Sequence, residues 1–287
     1  MNDEYSYIER PWGKLAYKTA GTGPPLVLLH SLALSAEMWD LLAGELGLGR
    51  RLVCVDLRGH GRSSWDGRSF SVEDMASDVA CLADELGLGP VDVLGMSMGG
   101  TVAVALAAAH PERVARLVAC DTTAWYGPEA VKAWEQRANT AETTPREMQV
   151  SFQTDRWFGE EFRRHHPATV SSLVGIFLRT SPAAHAAACR ALGAYDGRDA
   201  LERVTAATLA VTGEDDSATP PSMGAALAAG ISGATQQVWP GLRHFAIVES
   251  SALRYAVRLF LSGDTIPAPT PPSACCVSLH GTQESDA

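Results

Sequence analysis

The chain has 287 residues, of which 46% are hydrophobic and 20% charged. That supplies one sizeable core with a modest added lobe and is inconsistent with a largely disordered chain. A formal net charge of -10 repels a phosphate backbone and argues against nucleic acid as a partner. It leaves room for local arginines in a pocket that takes an anionic small molecule.

Six cysteines stand at 54, 81, 120, 189, 275 and 276, with no C-x-x-C spacing. They read as buried small hydrophobes of a reducing compartment, and the last pair is misplaced for a prenylation box. The N-terminus, MNDEYSYIERPW, lacks an apolar signal core, and no apolar run has the length of a membrane span. A soluble cytoplasmic protein is the expectation, with its oligomeric state open.

In chain order, YSYIE and KLAYKT read as two short strands around the turn Pro11-Trp12-Gly13. LVLLH after Pro25, LVCVD at 52–56, VDVL at 91–94, VARLVAC at 114–120 and ATLAVT at 207–212 are unalternating apolar runs. Such runs suit strands covered on both faces. A further strand is expected near 235–239. Between them, residues 36–46 carry apolar positions at helical spacing. Residues 71–86 open on Ser71, place Glu73 and Asp74 in the first turn and stop at Gly87. Residues 99–109 are small and apolar all round, as in a buried helix. Strand and helix alternate, so the expected fold class is α/β: a mostly parallel open sheet with helices on both faces. From about 125 to 200 the strand runs cease and helical stretches take over. The expected organisation is a core at 1–124 and 201–262, a helical cap at 125–200, and a disordered Pro/Ser/Thr-rich tail at 263–287.

The sharpest chemical signal is Gly95-Met96-Ser97-Met98-Gly99, a G-x-S-x-G lying between a strand and a helix, as that motif requires. A tight turn there exposes the Ser97 hydroxyl at the carboxyl edge of the sheet. A serine hydroxyl is a weak nucleophile at neutral pH and needs a base, which in turn needs an orienting carboxylate. In a fold of this kind the chain order is Ser, acid, His. Of the eight histidines, His244 in PGLRHF follows the last strand run and is the candidate base. The acid is sought in Gly213-Glu214-Asp215-Asp216, where Asp216 leads and Asp215 is a rival. Asp121, at the end of an earlier strand, is another rival, or else a loop-capping carboxylate. Oxyanion donors are expected from the backbone N–H groups of Met98, next to the nucleophile, and Leu32, in the loop His30-Ser31-Leu32. His30 and His60 read as structural, His165-His166 as solvated helix-end residues, and no metal or cofactor is implied.

HSLALSAEMWD, VDLRGHGRSS, GMSMGG, HPERVARLVACDTTA and GEDDSATPP together resemble the 3-oxoadipate enol-lactonases, α/β-hydrolases of aromatic-acid breakdown. Asp155-Arg156-Trp157-Phe158 and the run from Ala187 to Asp196 add to the likeness, which spans roughly residues 8–262. Ser31 after His30, and Arg243-His244-Phe245, depart from the family pattern. The resemblance implies a lactone opened through an acyl-enzyme, with no cofactor. It also implies a substrate carboxylate held by a cap arginine, Arg137 or Arg156. Trp157, with Trp125 and Trp134, is a candidate for the pocket wall. Open alternatives on the same scaffold are a carboxylesterase, a carbon–carbon bond hydrolase, a perhydrolase, or a non-catalytic binding module. A dehalogenase is not expected, because it needs Asp where Ser97 stands.

Overall fold

The computed structural model describes residues 4–271. Its centre is an eight-stranded sheet in the order β1-β2-β4-β3-β5-β6-β7-β8. The strands are β1 (Ser6–Arg10), β2 (Gly13–Ala20), β3 (Pro25–Leu29), β4 (Arg51–Val55), β5 (Val91–Met96), β6 (Val114–Cys120), β7 (Ala207–Gly213) and β8 (Thr235–Trp239). β1 pairs with β2, and β2 with β4, antiparallel; every other pairing is parallel. The apolar runs sit in the middle of this sheet because both faces are covered there. Every residue of β5 is buried, whereas edge strand β8 alternates.

Helices α1 (Ala43–Leu46), α2 (Val72–Glu85) and α3 (Met98–Ala109) follow β3, β4 and β5. After β6 come α4 (Ala130–Thr143), α5 (Arg146–Trp157), α6 (Glu160–His165), α7 (Pro167–Arg179) and α8 (Pro182–Ala194). The chain then returns through β7 to α9 (Pro221–Gly230), α10 (Ala246–Glu249) and α11 (Ser251–Ser262). Helix α2 starts where its sequence says it should. The Ser71 hydroxyl accepts from the Asp74 amide and the Asp74 carboxylate accepts from the Ser71 amide, a reciprocal cap worth about 1 kcal/mol. Helix α3 is buried from Met98 to Ala108, which explains its uniformly small apolar residues.

Two expectations are corrected. Residues 36–46 do not form one helix. A 3-10 turn spans Ala36–Leu41, capped by the Ser35 hydroxyl, and only the single turn α1 is α-helical. Met38 and Trp39 are adjacent and both fully buried, so no single amphipathic stripe fits them, and Gly44 weakens the helix that follows. The disordered tail does not begin at residue 263. Ile266 packs against the core and the Pro267 carbonyl accepts from the Gln237 side-chain amide at 2.8 Å. Cys275, Cys276, His280 and the rest of the expected tail beyond 271 lie outside the described residues. No helix among the described residues is long and apolar enough to cross a membrane.

Candidate active site

Ser97 occupies the turn between β5 and α3 with φ 54 and ψ -119. This backbone region is sparsely populated for a residue with a Cβ, and it persists only where surroundings enforce it. Here they do. A Cβ on Gly95 would lie 2.2 Å from the Gly99 carbonyl oxygen, and one on Gly99 would lie 2.2 Å from that of Leu29. Only glycines let the strand, the turn and the helix approach so closely. The Ser97 amide donates to the Cys120 carbonyl at 2.9 Å, and the Thr122 hydroxyl donates to the Ser97 carbonyl at 2.7 Å.

The turn aims the Ser97 hydroxyl at His244 Nε2, 2.9 Å away. His244 Nδ1–H donates to Asp216 Oδ2 at 2.8 Å. Asp216 Oδ1 accepts from the amides of Ala218 at 2.7 Å and Thr219 at 3.1 Å, and Oδ2 also accepts from the Thr219 hydroxyl at 2.7 Å. Burial pushes the Asp216 carboxyl up, but His244 and the Thr219 donors outweigh it and hold the group below its usual value. Asp215 is exposed. Asp121 faces backbone amides rather than His244. An array of this kind lets the histidine take the serine proton while the carboxylate steadies the imidazolium that forms.

Leu32 lines the cavity beside Ser97. Met98 opens α3 directly after it. Among the described residues neither amide donates to a protein acceptor, the state an oxyanion donor requires. His30 sets the loop that carries Leu32. Burial, with His60 adding to it, pushes His30 down to about 3, so the ring is neutral. Its Nδ1–H donates to the Ser31 carbonyl at 2.8 Å and its Nε2 accepts from the Leu57 amide at 2.9 Å. His30 is therefore a structural histidine that ties the Ser31 backbone to the loop after β4.

The cavity over Ser97 measures about 270 Å³ and is lined by both arginine candidates, Arg137 and Arg156, and by Trp134 and Trp157. Trp157 stacks on Phe245 at 4.8 Å between ring centroids. Trp125 is not part of the lining; its ring lies 3.6 Å from the Arg198 guanidinium. Arg137 and Arg156 are half-buried, and among the described residues neither guanidinium makes a hydrogen bond or ion pair with the protein. Burial, followed by the repulsion of Arg137, pushes Arg156 down to about 10. Burial also lowers Arg137. Tyr126, Gln153 and His185 line the same space and have no counterpart in the sequence-level expectations. For Gln153 a signal existed: it lies on α5 one turn before Arg156 and Trp157, on the same helix face.

Helix α5 is also bound to the loop of His244. The His244 amide donates to the Arg156 carbonyl at 3.3 Å, and the Phe245 amide to the Trp157 carbonyl at 3.0 Å. The Glu249 carboxylate accepts from the amides of Gly159 at 3.3 Å and Arg243 at 3.4 Å. Burial pushes Glu249 up to about 7, against the opposing pull of these amides, Arg243 and Arg163. A carboxyl raised on folding keeps its proton in the native state where the unfolded chain has released it, so its contribution falls as pH rises from about 4.5 to 7. Accordingly, thermal unfolding scans are expected to carry a decline in midpoint from Glu249 across this window, and Glu249→Gln is expected to flatten that part. An identical slope in the variant contradicts this.

The description of the alpha/beta hydrolase fold family matches residues 24–251. The chain belongs to the α/β-hydrolase family. This hydrolase is 28% identical over 245 residues to 3-oxoadipate enol-lactonase 2 of Acinetobacter baylyi, covering 85% of the chain and 91% of that protein. It is 31% identical over 222 residues to the pimeloyl-[acyl-carrier protein] methyl ester esterase of Nitrosomonas europaea, covering 71% and 81%. The crystal structure of the enol-lactonase from Burkholderia xenovorans LB400 superposes with a TM-score of 0.83 at 29% identity, covering 90% of this chain and all of that one. The named relatives are enol-lactonases and a methyl ester esterase.

Proposed function

We propose that this hydrolase opens a small lactone bearing a carboxylate, with 3-oxoadipate enol-lactone as the substrate and aromatic-acid breakdown as its setting. The observation that carries the reading is the pair Arg137 and Arg156, which both line the cavity; their guanidiniums lie over the rings of Trp134 at 4.9 Å and Phe152 at 5.3 Å, without an anionic partner among the described residues. A ring face compensates a partly buried cation only in part, and a substrate carboxylate would supply the charged partner that is missing. A cavity of about 270 Å³ lies at the small end of ligand pockets and suits a single ring better than a long acyl chain.

In this reading Ser97 Oγ attacks the lactone carbonyl as His244 takes its proton. The oxyanion is held by the Leu32 and Met98 amides. The ring C–O bond breaks, His244 returns the proton to the leaving enol oxygen, and the acyl group stays on Ser97. A water, deprotonated by His244, then attacks the acyl carbon; the bond to Ser97 Oγ breaks as His244 returns the proton to it, and the freed enol tautomerises to the ketone. Purified protein is expected to consume 3-oxoadipate enol-lactone, followed by its loss of ultraviolet absorbance. Turnover of a short p-nitrophenyl ester with the lactone untouched would discard the lactone and leave an esterase.

A further inference from the structure

We infer that Asp121 is a positioning residue that aligns the acid and base loops with the nucleophile turn. The inference rests on the reading of Ser97, His244 and Asp216 given above. Asp121 is fully buried and follows the last residue of β6 at φ 48. Its Oδ1 accepts from the Gly213 amide at 2.9 Å and its Oδ2 from the Ala246 amide at 3.2 Å. Gly213 ends β7 three residues before Asp216, and Ala246 comes two residues after His244. One carboxyl group thereby grips the loop of the acid and the loop of the base. Its own amide donates to the Val211 carbonyl at 2.8 Å. The residues on either side of it hold the third member, because the Cys120 carbonyl and the Thr122 hydroxyl bond the backbone of Ser97.

A loop-capping carboxylate would bond amides of its own loop. The partners of Asp121 lie 92 and 125 residues away in sequence, so the contact is tertiary. Its position is also electrostatically unfavourable, since burial and then the nearby Asp216 push its carboxyl well above the usual range. An apolar side chain would avoid that cost but would leave two buried amides unpaired. Small displacements among reacting groups translate into large rate losses. Asp121 touches no reacting atom, so its removal should reduce turnover while sparing substrate binding.

The test compares wild type, Asp121→Asn and Asp121→Gly. Asparagine tolerates the left-handed backbone and keeps one acceptor; glycine relaxes the backbone and keeps none. The readouts are the rate of Ser97 labelling by a fluorophosphonate, and kcat and KM on a short p-nitrophenyl ester. The expected order is wild type, Asn about tenfold slower, and Gly about a hundredfold slower, in both labelling and kcat, with KM within about twofold. If Asp121→Gly does not fold in a thermal scan, Asp121→Asn against wild type decides alone. Variants that label and turn over at the wild-type rate, or whose loss falls in KM, overturn the inference. An unlabelled Ser97 in the wild-type protein overturns the reading of the site and this inference with it.

Discussion

Replacing Ser97 with alanine is expected to lower kcat about 10⁶-fold on any ester or lactone the protein hydrolyses. In the proposed reading the hydroxyl is the atom to be acylated, and among the hydroxyls lining the cavity it is the one hydrogen-bonded to His244 Nε2. Tyr126, the other hydroxyl-bearing ring there, has its phenol raised by burial and is the poorer nucleophile for it. Serine and histidine act as one unit, so His244→Ala should cost about as much and Ser97→Ala/His244→Ala little more. A residual rate of some 10³-fold over water is expected from the Leu32 and Met98 amides and from binding. Single-turnover kinetics with a chromogenic ester measures all three variants. A Ser97→Ala protein retaining even about a hundredth of the wild-type rate is incompatible with the 10⁶-fold loss and with acylation at this serine.

The second large effect separates binding from chemistry. Arg137→Ala and Arg156→Ala each remove a charged donor from the cavity, worth about 1.5–3 kcal/mol when it meets a carboxylate. Each should therefore lower kcat/KM for the carboxylate-bearing lactone by roughly ten- to a hundredfold, and the pair together by about a thousandfold. A neutral p-nitrophenyl ester should lose little, because it never used the guanidiniums. The main-chain bond from His244 to the Arg156 carbonyl survives the alanine substitution, so a general collapse of activity is not expected. Equal losses on charged and neutral substrates would show that the arginines serve the architecture and not the ligand. Lysine at 156 should restore only part of the loss, since it lacks the planar fork that meets a carboxylate at two points.

The strands of this fold are legible in the sequence because a strand buried on both faces is written as an uninterrupted apolar run, as in Leu26–Leu29 and Leu52–Val55. Helix α2 is legible because Ser71 and Asp74 state its start chemically. The segment after β3 is not, since Met38 and Trp39 are buried as neighbours, a pattern set by tertiary packing that no helical period anticipates. The line from Ser97 to His244 and Asp216 can be followed because a strained turn requires glycines on both sides and the chain order of the partners is limiting. Tyr126, Gln153 and His185 could not be followed in the same way. They come from a loop and from two different helices that meet at the folded cavity, and of the three only Gln153, one turn from Arg156 and Trp157, left a trace in the sequence. Asp121 stood in the sequence as an ambiguous carboxylate. Its meaning depends on two amides about a hundred residues downstream.

The bonds from His244 and Phe245 to the carbonyls of Arg156 and Trp157 bear on how such proteins diversify. A lid is often treated as a replaceable attachment that alters substrate choice and leaves the engine beneath it alone. Here Arg156, whose side chain lines the cavity, also carries, on its main chain, an acceptor for the His244 amide. Exchange of the helices at 130–194 for foreign ones would therefore also disturb the backbone bonds that hold the His244 loop. A segment exchanged whole would have to present carbonyls at 156 and 157 to the His244 and Phe245 amides, whatever side chains it bears. Replacement of the inner-surface residues one at a time escapes that constraint.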